Sequence, residues 1–404
     1  MQPESIISLI DEVVPSLDRD LIDVRRAIHR HPELAGSEVR TAALVADQLR
    51  AAGLEVSTGV GGHGVVGILD CAEPGATIGY RADMDAVAMD EASESEFRSQ
   101  VDGAGHLCGH DIHTAIGIGV ARTLARVRDQ LSGRVVFYFQ PAEEALTGAK
   151  AMLDARVLEL AEPDEIYALH CAHIPVGTFA VMPGGGLPGH DNFDLELSGP
   201  EAADKAEEIA ARIASWSTVR PPATPEQHEQ LLADLLVEDG PLARFVFAGA
   251  WISRDETRAQ VTTHGWIKAW PDESYPGIRE RVMDLVQDVC GAEGLNHLTF
   301  REAPFPAMVC SVDLSESAAQ YFRGAFGADA ATVLHAPFPF NGEDFAYFLN
   351  RVRGAMFFVG VANPAAGLSG IVHTPTFAAD ERAIALGVRA MAGWLATRLY
   401  VLAD

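Results

Sequence analysis

The apolar residues of the chain alternate between helical and strand-like spacing along most of its length. Apolar side chains recur at helical intervals through residues 4–30, from Ile6 and Ile10 to Ile28, and predict one amphipathic helix. Helices and strands then alternate over 37–52, 65–69, 77–81, 114–131, 134–140, 147–158 and 165–170. The nearly continuous apolar run at 134–140 is typical of a strand buried on both faces. This alternation predicts a mixed sheet covered by helices.

The pattern changes near residue 190. Strand, helix, strand, strand, helix and strand follow in the order of a ferredoxin-like domain. The strands are predicted at 192–197, 244–253, 257–269 and 297–302, and the long helices at 201–216 and 276–290. The sequence therefore predicts an α/β protein with two domains. Residues 1–189 and 304–404 form the mixed-sheet domain, and residues 190–303 form an inserted ferredoxin-like α+β domain.

Composition narrows the classes of partner. The chain has 404 residues, 48% of them apolar, which is enough for two hydrophobic cores. Its formal charge of -27 would repel a phosphate backbone or an anionic lipid surface, so neither nucleic acid nor a membrane is an expected partner. Five scattered cysteines favour reduced thiols and a cytoplasmic location. No signal peptide and no membrane-spanning apolar run is evident.

One short stretch, residues 105–114, concentrates side chains that bind metals. It contains Cys108 and His110, separated by one glycine, and two further histidines, His106 and His113. Thiolate and imidazole together suit zinc or a similar transition metal rather than calcium or magnesium. A glycine-rich loop with a buried cysteine and surface histidines is the alternative that remains open on this stretch alone.

Acidic residues and a histidine follow the predicted strands. Asp83 and Asp85 follow the strand that ends at Arg81, and Glu143 with Glu144 follows the strand 134–140. His170 closes the strand 165–170. Sites in sheets covered by helices form beyond the carboxyl ends of the strands, so these groups are expected to converge with Cys108 and His110.

The adjacent glutamates at 143 and 144 suggest two different roles. Neighbouring side chains usually point in different directions, so one glutamate can bind a metal while the other acts as a base, as metal-assisted hydrolysis requires. An acidic helix start is the alternative. His373, near Pro375, and His170 are each weak metal candidates when taken singly.

Taken in order, these segments resemble the M20 metallopeptidases. The resemblance is to the amidohydrolase, M20D-like branch, which includes hippurate hydrolases, N-acyl-amino-acid hydrolases and auxin-conjugate hydrolases. The matching segments are 26–34, 81–86, 108–115, 140–144, 341–347 and 373–377. The resemblance implies a zinc-peptidase-like catalytic domain and an inserted lid and dimerisation domain.

The resemblance also implies a site of two divalent metal ions, which could be zinc, manganese, cobalt or nickel. The implied ligands are Cys108, His110, Glu144, His170 and His373. Glu143 would be the general base. Asp85, Asp111 and His113 would orient these groups, and no substrate-contacting residue is predicted.

The function that the resemblance implies is metal-dependent hydrolysis of the amide bond of an N-acyl amino acid or a similar small amide, by a homodimer that forms through the inserted domain. Two alternatives remain: a dipeptidase or aminopeptidase of the same family, and a degenerate member that binds a ligand or partner without turnover. The second alternative has a basis in the sequence, because a Gly-Gly-His loop usual in the family is missing after 193–200. His190 or His264 could replace that histidine, and Lys268 stands where the family has an arginine that could meet a carboxylate.

Overall fold

A computed structural model describes residues 3–255 and 260–403. The chain forms two compact units. Unit 1 comprises residues 1–184, 310–333 and 347–404, and unit 2 comprises 185–309 and 334–346. The domain boundaries at 189/190 and 303/304 remain predictions from sequence. The grouping in the structure differs from them mainly in the segment 334–346.

Unit 1 is built around an eight-stranded mixed sheet. Its strands are β1 (Glu55–Val60), β2 (Gly64–Asp70), β3 (Glu73–Asp83), β4 (Ser132–Gln140), β5 (Glu165–Pro175), β6 (Phe179–Val181), β13 (Ala331–Val333) and β14 (Gly354–Ala362). They lie in the order β1-β2-β4-β3-β5-β14-β6-β13. Strands β4, β3, β5 and β14 run parallel to one another, whereas β1 and β2 pair antiparallel with their neighbours. Strand β6 pairs antiparallel with β14 and parallel with β13. The predicted mixed sheet is therefore present.

Helices cover this sheet. They are α1 (Pro3–Val13), α2 (Asp18–His29), α3 (Val39–Ala51), α4 (His110–Val127), α5 (Gly148–Asp154), α9 (Val312–Phe326), α10 (Ala346–Leu349, which starts in unit 2) and α11 (Arg382–Ala403). Helices α4 and α11 pack on each other and on β3 and β4. Every residue of β14 is buried, and β4 is buried from Val135 to Gln140. The continuous apolar runs in these two strands, 135–139 in β4 and all of β14, are typical of strands that are covered on both faces.

Two predicted helix boundaries were wrong. The helix expected over 4–30 is two helices, α1 and α2, separated by a short 3-10 turn at Val14–Ser16. Pro15 lies in that turn, and proline removes the backbone N–H that a continuing helix would use. The helix expected from Thr114 begins at His110 instead.

Unit 2 contains a four-stranded antiparallel sheet. Its elements are β7 (Gly186–Leu187), β8 (His190–Ser198), α6 (Ala202–Ala214), α7 (Pro225–Leu235), β9 (Phe245–Asp255), β10 (Gln260–Trp270), α8 (Tyr275–Cys290), β11 (Leu298–Phe300) and β12 (Met308–Val309). The sheet order is β11-β8-β10-β9, and β7 pairs separately with β12. This is the ferredoxin-like arrangement. The first three residues of the strand predicted at 257–269 lie outside the described residues.

The core of unit 2 forms between its sheet and two of its helices. Ile209 and Ile213 of α6 and Val282 and Val286 of α8 are fully buried against the sheet. The sheet supplies Leu195 and other inward-facing residues to the same core. β10 alternates between buried and half-buried positions along its length, as expected for a strand with one face in a core. Over both units, none of the helices within 3–255 and 260–403 is long and apolar enough to cross a membrane.

Candidate metal centre

The parallel strands of unit 1 bring the predicted site residues to one edge of the sheet. β3 ends at Asp83, which is in register with Gln140, the last residue of β4. On its other side, Arg81 of β3 is in register with Ala168 of β5, two residues before His170. The loops that carry Asp85 and the two glutamates therefore begin at the same level of the sheet. This is the geometry that the sequence predicts for a site at strand ends.

Cys108 and His110 lie on either side of a helix start rather than in one loop. Gly109 is the N-cap of α4 and has a φ of 91°, which only glycine adopts readily. A Cβ at this position would also come within 2.9 Å of the Cys171 sulfur. His110 is the first residue of α4, and the Cys108 Sγ lies 3.5 Å from the His170 Nε2.

Hydrogen bonds fix which ring nitrogens of two histidines can bind a metal. Nδ1 of His110 lies 2.9 Å from the carbonyl oxygen of Asp85, and Nδ1 of His170 lies 2.8 Å from the carbonyl oxygen of Cys171. A carbonyl can only accept, so both Nδ1 atoms must donate, and the lone pair of each neutral ring is then on Nε2. Carbonyl or carboxylate partners of this kind are usual behind histidines that bind metals.

The two glutamates lie in a constrained turn after β4. Ala142 and Leu146 both have positive φ, 53° and 54°, although neither is glycine. The backbone N–H of Glu144 donates to Asp85 Oδ2 at 2.9 Å. His110 Nε2 lies 3.7 Å from Glu144 Oε1 and 3.9 Å from Glu143 Oε2. Both carboxylates therefore reach the same histidine nitrogen.

His373 joins this group from the segment before α11. Its backbone has a φ of 56°, and its N–H donates to the carbonyl of Leu107 at 2.7 Å. Its Nε2 lies 3.4 Å from Glu144 Oε1. The backbone bond to Leu107 thus places His373 beside Cys108, the next residue in the chain. All five predicted ligands and the predicted base lie in one region of unit 1.

Asp83 also belongs to this group of side chains. It was predicted to lie at a strand end, but no role was predicted for it. Asp83 Oδ2 lies 3.9 Å from His110 Nε2, and its Oδ1 lies 2.6 Å from His113 Nδ1. Arg81 donates to Asp83 Oδ2 at 2.6 Å. An arginine two residues before an aspartate on a buried strand was the available signal, because both side chains point to the same face and a buried arginine needs an acidic partner.

His113 and Asp111 differ in where their contacts lead. Both ring nitrogens of His113 are used, since Nδ1 meets Asp83 and Nε2 accepts the N–H of Cys171 at 2.8 Å. His113 therefore supports the strand segment of His170. Asp111 instead accepts hydrogen bonds at Oδ2 from Arg25 Nε and His29 Nδ1, each at 2.8 Å. These contacts tie the start of α4 to α2.

The electrostatics of the centre favour bound cations. Burial opposes the positive charge of His110, but Asp83, Asp85 and Glu144 outweigh it and raise the pKa of His110 to about 10. Burial, with the charges of Glu144, Glu143 and Asp83, raises the pKa of the Cys108 thiol well above its ordinary range. Burial also lowers the pKa of His170, which keeps that ring neutral. A divalent cation would reverse the first two effects, because it stabilises a thiolate and competes for the His110 lone pair.

The donor atoms fit divalent transition metals. Nε2 of His110 and Oε1 of Glu144 are buried and make no hydrogen bond of normal geometry within the described chain. Ligand atoms lie within 4.8 Å of one another in three sets in unit 1: Cys108 with Glu144 and His373, His110 with Glu143 and Glu144, and Asp83 with His110, His113 and His170. Because Glu144 and His110 each occur in two sets, the arrangement suits two neighbouring ions. Thiol, imidazole and carboxylate donors together suit zinc, manganese, cobalt or nickel.

The remaining histidine and lysine candidates lie in unit 2. His190 stacks on Phe305 with ring centroids 4.8 Å apart, and burial lowers its pKa to about 4. His264 lies between Asp194 Oδ1 and Ser253 Oγ, at 2.7 and 2.8 Å. Lys268 donates to the carbonyl of Phe340, and burial lowers its pKa to about 8.

Comparison with known proteins agrees with the fold. The profile of peptidase family M20/M25/M40 matches residues 79–397. Thermostable carboxypeptidase 2 of Saccharolobus solfataricus is 29% identical over 398 residues, covering 96% of this chain and 97% of that protein. IAA-amino acid hydrolase ILR1-like 4 of Arabidopsis thaliana is 30% identical over 384 residues, covering 94% of this chain and 85% of that protein.

A solved structure has the same fold. It is the YXEP protein of Bacillus subtilis, described as a dinuclear metal binding peptidase from the M20 family, with a TM-score of 0.74, 24% identity, and coverage of 96% of this chain and 99% of that chain. The family profile and the hydrolases among the similar proteins place the chain in the class of metal-dependent hydrolases. The chain belongs to peptidase family M20/M25/M40. The predicted family, fold class and enzyme class are thereby confirmed.

An acidic residue outside the centre, Glu91, has a side chain that is only 2% exposed, and it leads to a pH prediction. Burial opposes its charge, but hydrogen bonds from His29, Ser93 and the Ser99 N–H lower its pKa to about 2. In the unfolded chain the pKa returns to about 4.3, so the unfolded state binds more protons between these values and stability falls as the pH drops through them.

We therefore expect Glu91→Gln to flatten the loss of unfolding free energy between pH 5 and pH 2.5, a difference of about 2 kcal/mol. Urea unfolding at a series of pH values measures it. Glu94→Gln is the matched control, because Glu94 is exposed and close in sequence. If the unfolding free energy fell equally steeply between pH 5 and pH 2.5 in both variants, Glu91 would not be the group responsible.

Proposed function

We propose that the protein hydrolyses the amide bond of an N-acyl amino acid or a similar small amide, using two divalent ions. The observation that carries this proposal is that the two adjacent glutamates make different contacts. Glu144 lies close to both His110 and His373, whereas Glu143 is buried and lies close to His110. One carboxylate can therefore bind a cation while its neighbour handles a proton.

The proposed ligands are the five residues predicted from sequence, Cys108, His110, Glu144, His170 and His373. Divalent ions held there would supply positive charge that acidifies a water molecule and polarises the carbonyl of the amide. Asp85 would hold the turn through the Glu144 N–H and orient the His110 ring through its own carbonyl. Asp83 and His113 would hold the backbone beside His170.

Glu143 would move the proton in this reaction. Its carboxylate takes a proton from the attacking water and later gives it to the nitrogen of the leaving amine. Burial of Glu143 shields this transfer from bulk solvent, and the proximity of Oε2 to His110 Nε2 keeps the carboxylate beside the cation ligands. The products are then a carboxylic acid and a free amino acid.

A substrate screen tests the proposal and separates it from the alternatives. The metal-loaded protein is incubated with N-acyl amino acids, dipeptides and amino-acid amides, and released amine is quantified. Hydrolysis of acylated substrates without a free α-amine supports the proposal, as do the carboxypeptidase and IAA-amino acid hydrolase among the similar proteins. Hydrolysis restricted to substrates with a free α-amine would favour a dipeptidase or aminopeptidase. Tight binding of acylated substrates without release of amine would favour the degenerate alternative.

Cys108→Ser provides a test of the ligand set that does not depend on activity. Replacing a thiolate by a hydroxyl should weaken zinc binding at one site by about 10–100-fold or more, since zinc prefers sulfur and nitrogen ligands. Competition with a chromophoric chelator measures the affinity. Cys171→Ser is the matched control, because Cys171 is also buried and lies beside Gly109 but is not a proposed ligand. Equal losses in the two variants would remove Cys108 from the ligand set.

We also propose that residues 190–303 act as a lid and as the surface through which a homodimer forms. Strand β9 ends the four-stranded sheet of unit 2, so one of its edges has no strand partner within the described residues. Such an edge can pair with a second copy of the same strand. Sedimentation equilibrium of the full chain should give twice the monomer mass, and a monomer mass at micromolar concentration would reject the dimer.

A further inference from the structure

A buried glutamate that belongs to neither the ligand set nor the proton transfer, Glu38, contacts the turn that carries Glu143 and Glu144. Glu38 is fully buried, at 0% exposure, immediately before α3. Its Oε1 accepts the backbone N–H of Ala142 and that of Gly36, both at 2.8 Å. A charged side chain is rarely buried to this extent unless its contacts offset the cost of desolvation.

The contact falls on one of the two residues of the turn that have a left-handed backbone conformation. Ala142 has a φ of 53°, a left-handed conformation that costs a non-glycine residue of order 1 kcal/mol or more. Its own carbonyl accepts the N–H groups of Thr147 and Gly148, at 3.3 and 3.1 Å, and so closes the turn from the other side. The direction of the next two side chains depends on this backbone conformation, because φ and ψ at Ala142 set the path into Glu143.

The loop that precedes Glu38 is bonded to the segment after a neighbouring strand. The loop is joined to the segment after β3, because the Ala86 N–H donates to the carbonyl of Glu33 at 2.8 Å. Asp85, next to Ala86, binds the N–H of Glu144. Two carboxylates from connected segments therefore hold two backbone N–H groups of the turn, at Ala142 and Glu144, which flank Glu143 on either side.

We propose that Glu38 is a positioning residue, which fixes the Ala142 backbone so that Glu143 and Glu144 point to different places in the metal centre. The inference rests on the proposed function for its kinetic consequence only. Loss of the Glu38 contact lets the turn relax, so that the base and the ligand move from their places while all the side chains of the centre are still present. A displacement of about 1 Å in a catalytic group can cost about 100-fold in rate.

Glu33 provides a matched control from the same loop. It is half-buried, and its carboxylate accepts the N–H of Arg40, the N–H of Thr41 and the Thr41 hydroxyl, each at 2.9 Å. It thus holds the start of α3 with the same kind of hydrogen bond but makes none of these bonds to the turn at 142. Glu33→Ala should lower thermal stability and leave the turn in place.

The experiment compares Glu38→Ala, Glu38→Gln, Glu38→Asp and Glu33→Ala in the full-length, metal-loaded protein. Glu38→Ala should lower kcat by about 10–100-fold with little change in KM, and should weaken zinc binding by about 10-fold, because Glu144 is displaced with Glu143. Amide hydrogen exchange in a peptide that contains Ala142 should become faster. Glu38→Gln keeps an acceptor oxygen, so its kcat, zinc affinity and hydrogen exchange should stay close to those of the unmodified protein. Glu38→Asp has a shorter side chain and should show the same losses as Glu38→Ala. It therefore replaces Glu38→Ala in the comparison if that variant does not fold.

The outcomes separate positioning from general packing. Losses of kcat and zinc affinity in Glu38→Ala or Glu38→Asp, with rescue by Glu38→Gln and none of these losses in Glu33→Ala, support the proposal. Equal losses in Glu33→Ala, or faster exchange at Ala142 with kcat and zinc affinity unchanged, would overturn it. If the unmodified protein hydrolyses no amide, the proposed function fails, and zinc affinity with hydrogen exchange still decides the role of Glu38.

Discussion

Glu143→Gln is expected to lower kcat for amide hydrolysis by about 10²–10⁴-fold, the range that a positioned general base contributes. Glutamine has nearly the same shape as glutamate but cannot take a proton from water. Substrate binding should change little, so KM should stay within a few-fold of its original value. Steady-state kinetics on the substrate found in the screen, with metal content measured on the same samples, provides the test.

Glu144→Gln separates a base from a ligand at the neighbouring position. Glu144 Oε1 is buried and lies within 3.7 Å of His110 Nε2 and 3.4 Å of His373 Nε2, so its neutralisation should first reduce metal affinity. Its activity should therefore recover in part as the metal concentration rises. The activity of Glu143→Gln should stay low at every metal concentration. If Glu143→Gln retained kcat within about threefold of the original value, the base would have to be another group.

The central strands of unit 1 could be predicted from sequence because burial on both faces requires apolar residues at consecutive positions. The run at 134–140 is apolar without alternation from 135 to 139, and β4 is buried from Val135 onward. The break between α1 and α2 could not be predicted in the same way. Apolar spacing continues through it, since Val14 and Leu17 are both buried, and only Pro15 marks the interruption.

The start of α4 was missed for a reason that is connected with the site. His110, Asp111 and His113 are all at most 1% exposed, so the first turn of the helix is buried but polar. Apolar periodicity cannot reveal such a turn, because these buried side chains form hydrogen bonds and ion pairs and do not form a hydrophobic stripe. Gly109, the helix N-cap, and Asp111, an acidic residue in the first turn, were the local signals of the helix start.

The residue types of the candidate site could be predicted from sequence, but the hydrogen-bond partners of each side chain could not. Residue types at the strand ends indicate a metal and a base because the carboxyl ends of parallel strands meet at one edge. The separate destinations of Asp83 and Asp85 depend on where β3 ends. Asp83 is the last residue of the strand and faces His113, whereas Asp85 lies beyond it and meets the His110 ring and the Glu144 backbone. Only the folded chain shows that difference.

A second large effect is expected at Arg25, which lies outside the metal centre. Its side chain is 2% exposed and donates to Asp111 Oδ2 at 2.8 Å and to Glu381 Oε1 at 3.0 Å. Asp111 is fully buried, and although burial opposes its charge, Arg25 and His29 hold the pKa of its carboxyl far below its usual range. Arg25→Met keeps most of the side-chain volume but leaves that carboxylate with a single charged partner. We expect the unfolding free energy to fall by about 3–5 kcal/mol, the cost of breaking one side of a buried ion pair.

Arg26 provides a closely matched control for this experiment. It is the next residue of α2 and binds the same Glu381 through two hydrogen bonds, but its side chain is 36% exposed. Arg26→Met should therefore cost no more than about 1 kcal/mol, as is usual for solvated ion pairs. Urea unfolding of the metal-free protein measures both variants without a contribution from metal binding. Asp111→Asn added to Arg25→Met should recover part of the loss, because a neutral amide is less costly to bury than an unpaired carboxylate. Equal losses in the two arginine variants, or no recovery in the double variant, would mean that packing of the aliphatic stems rather than the buried charge joins α2 to the first turn of α4.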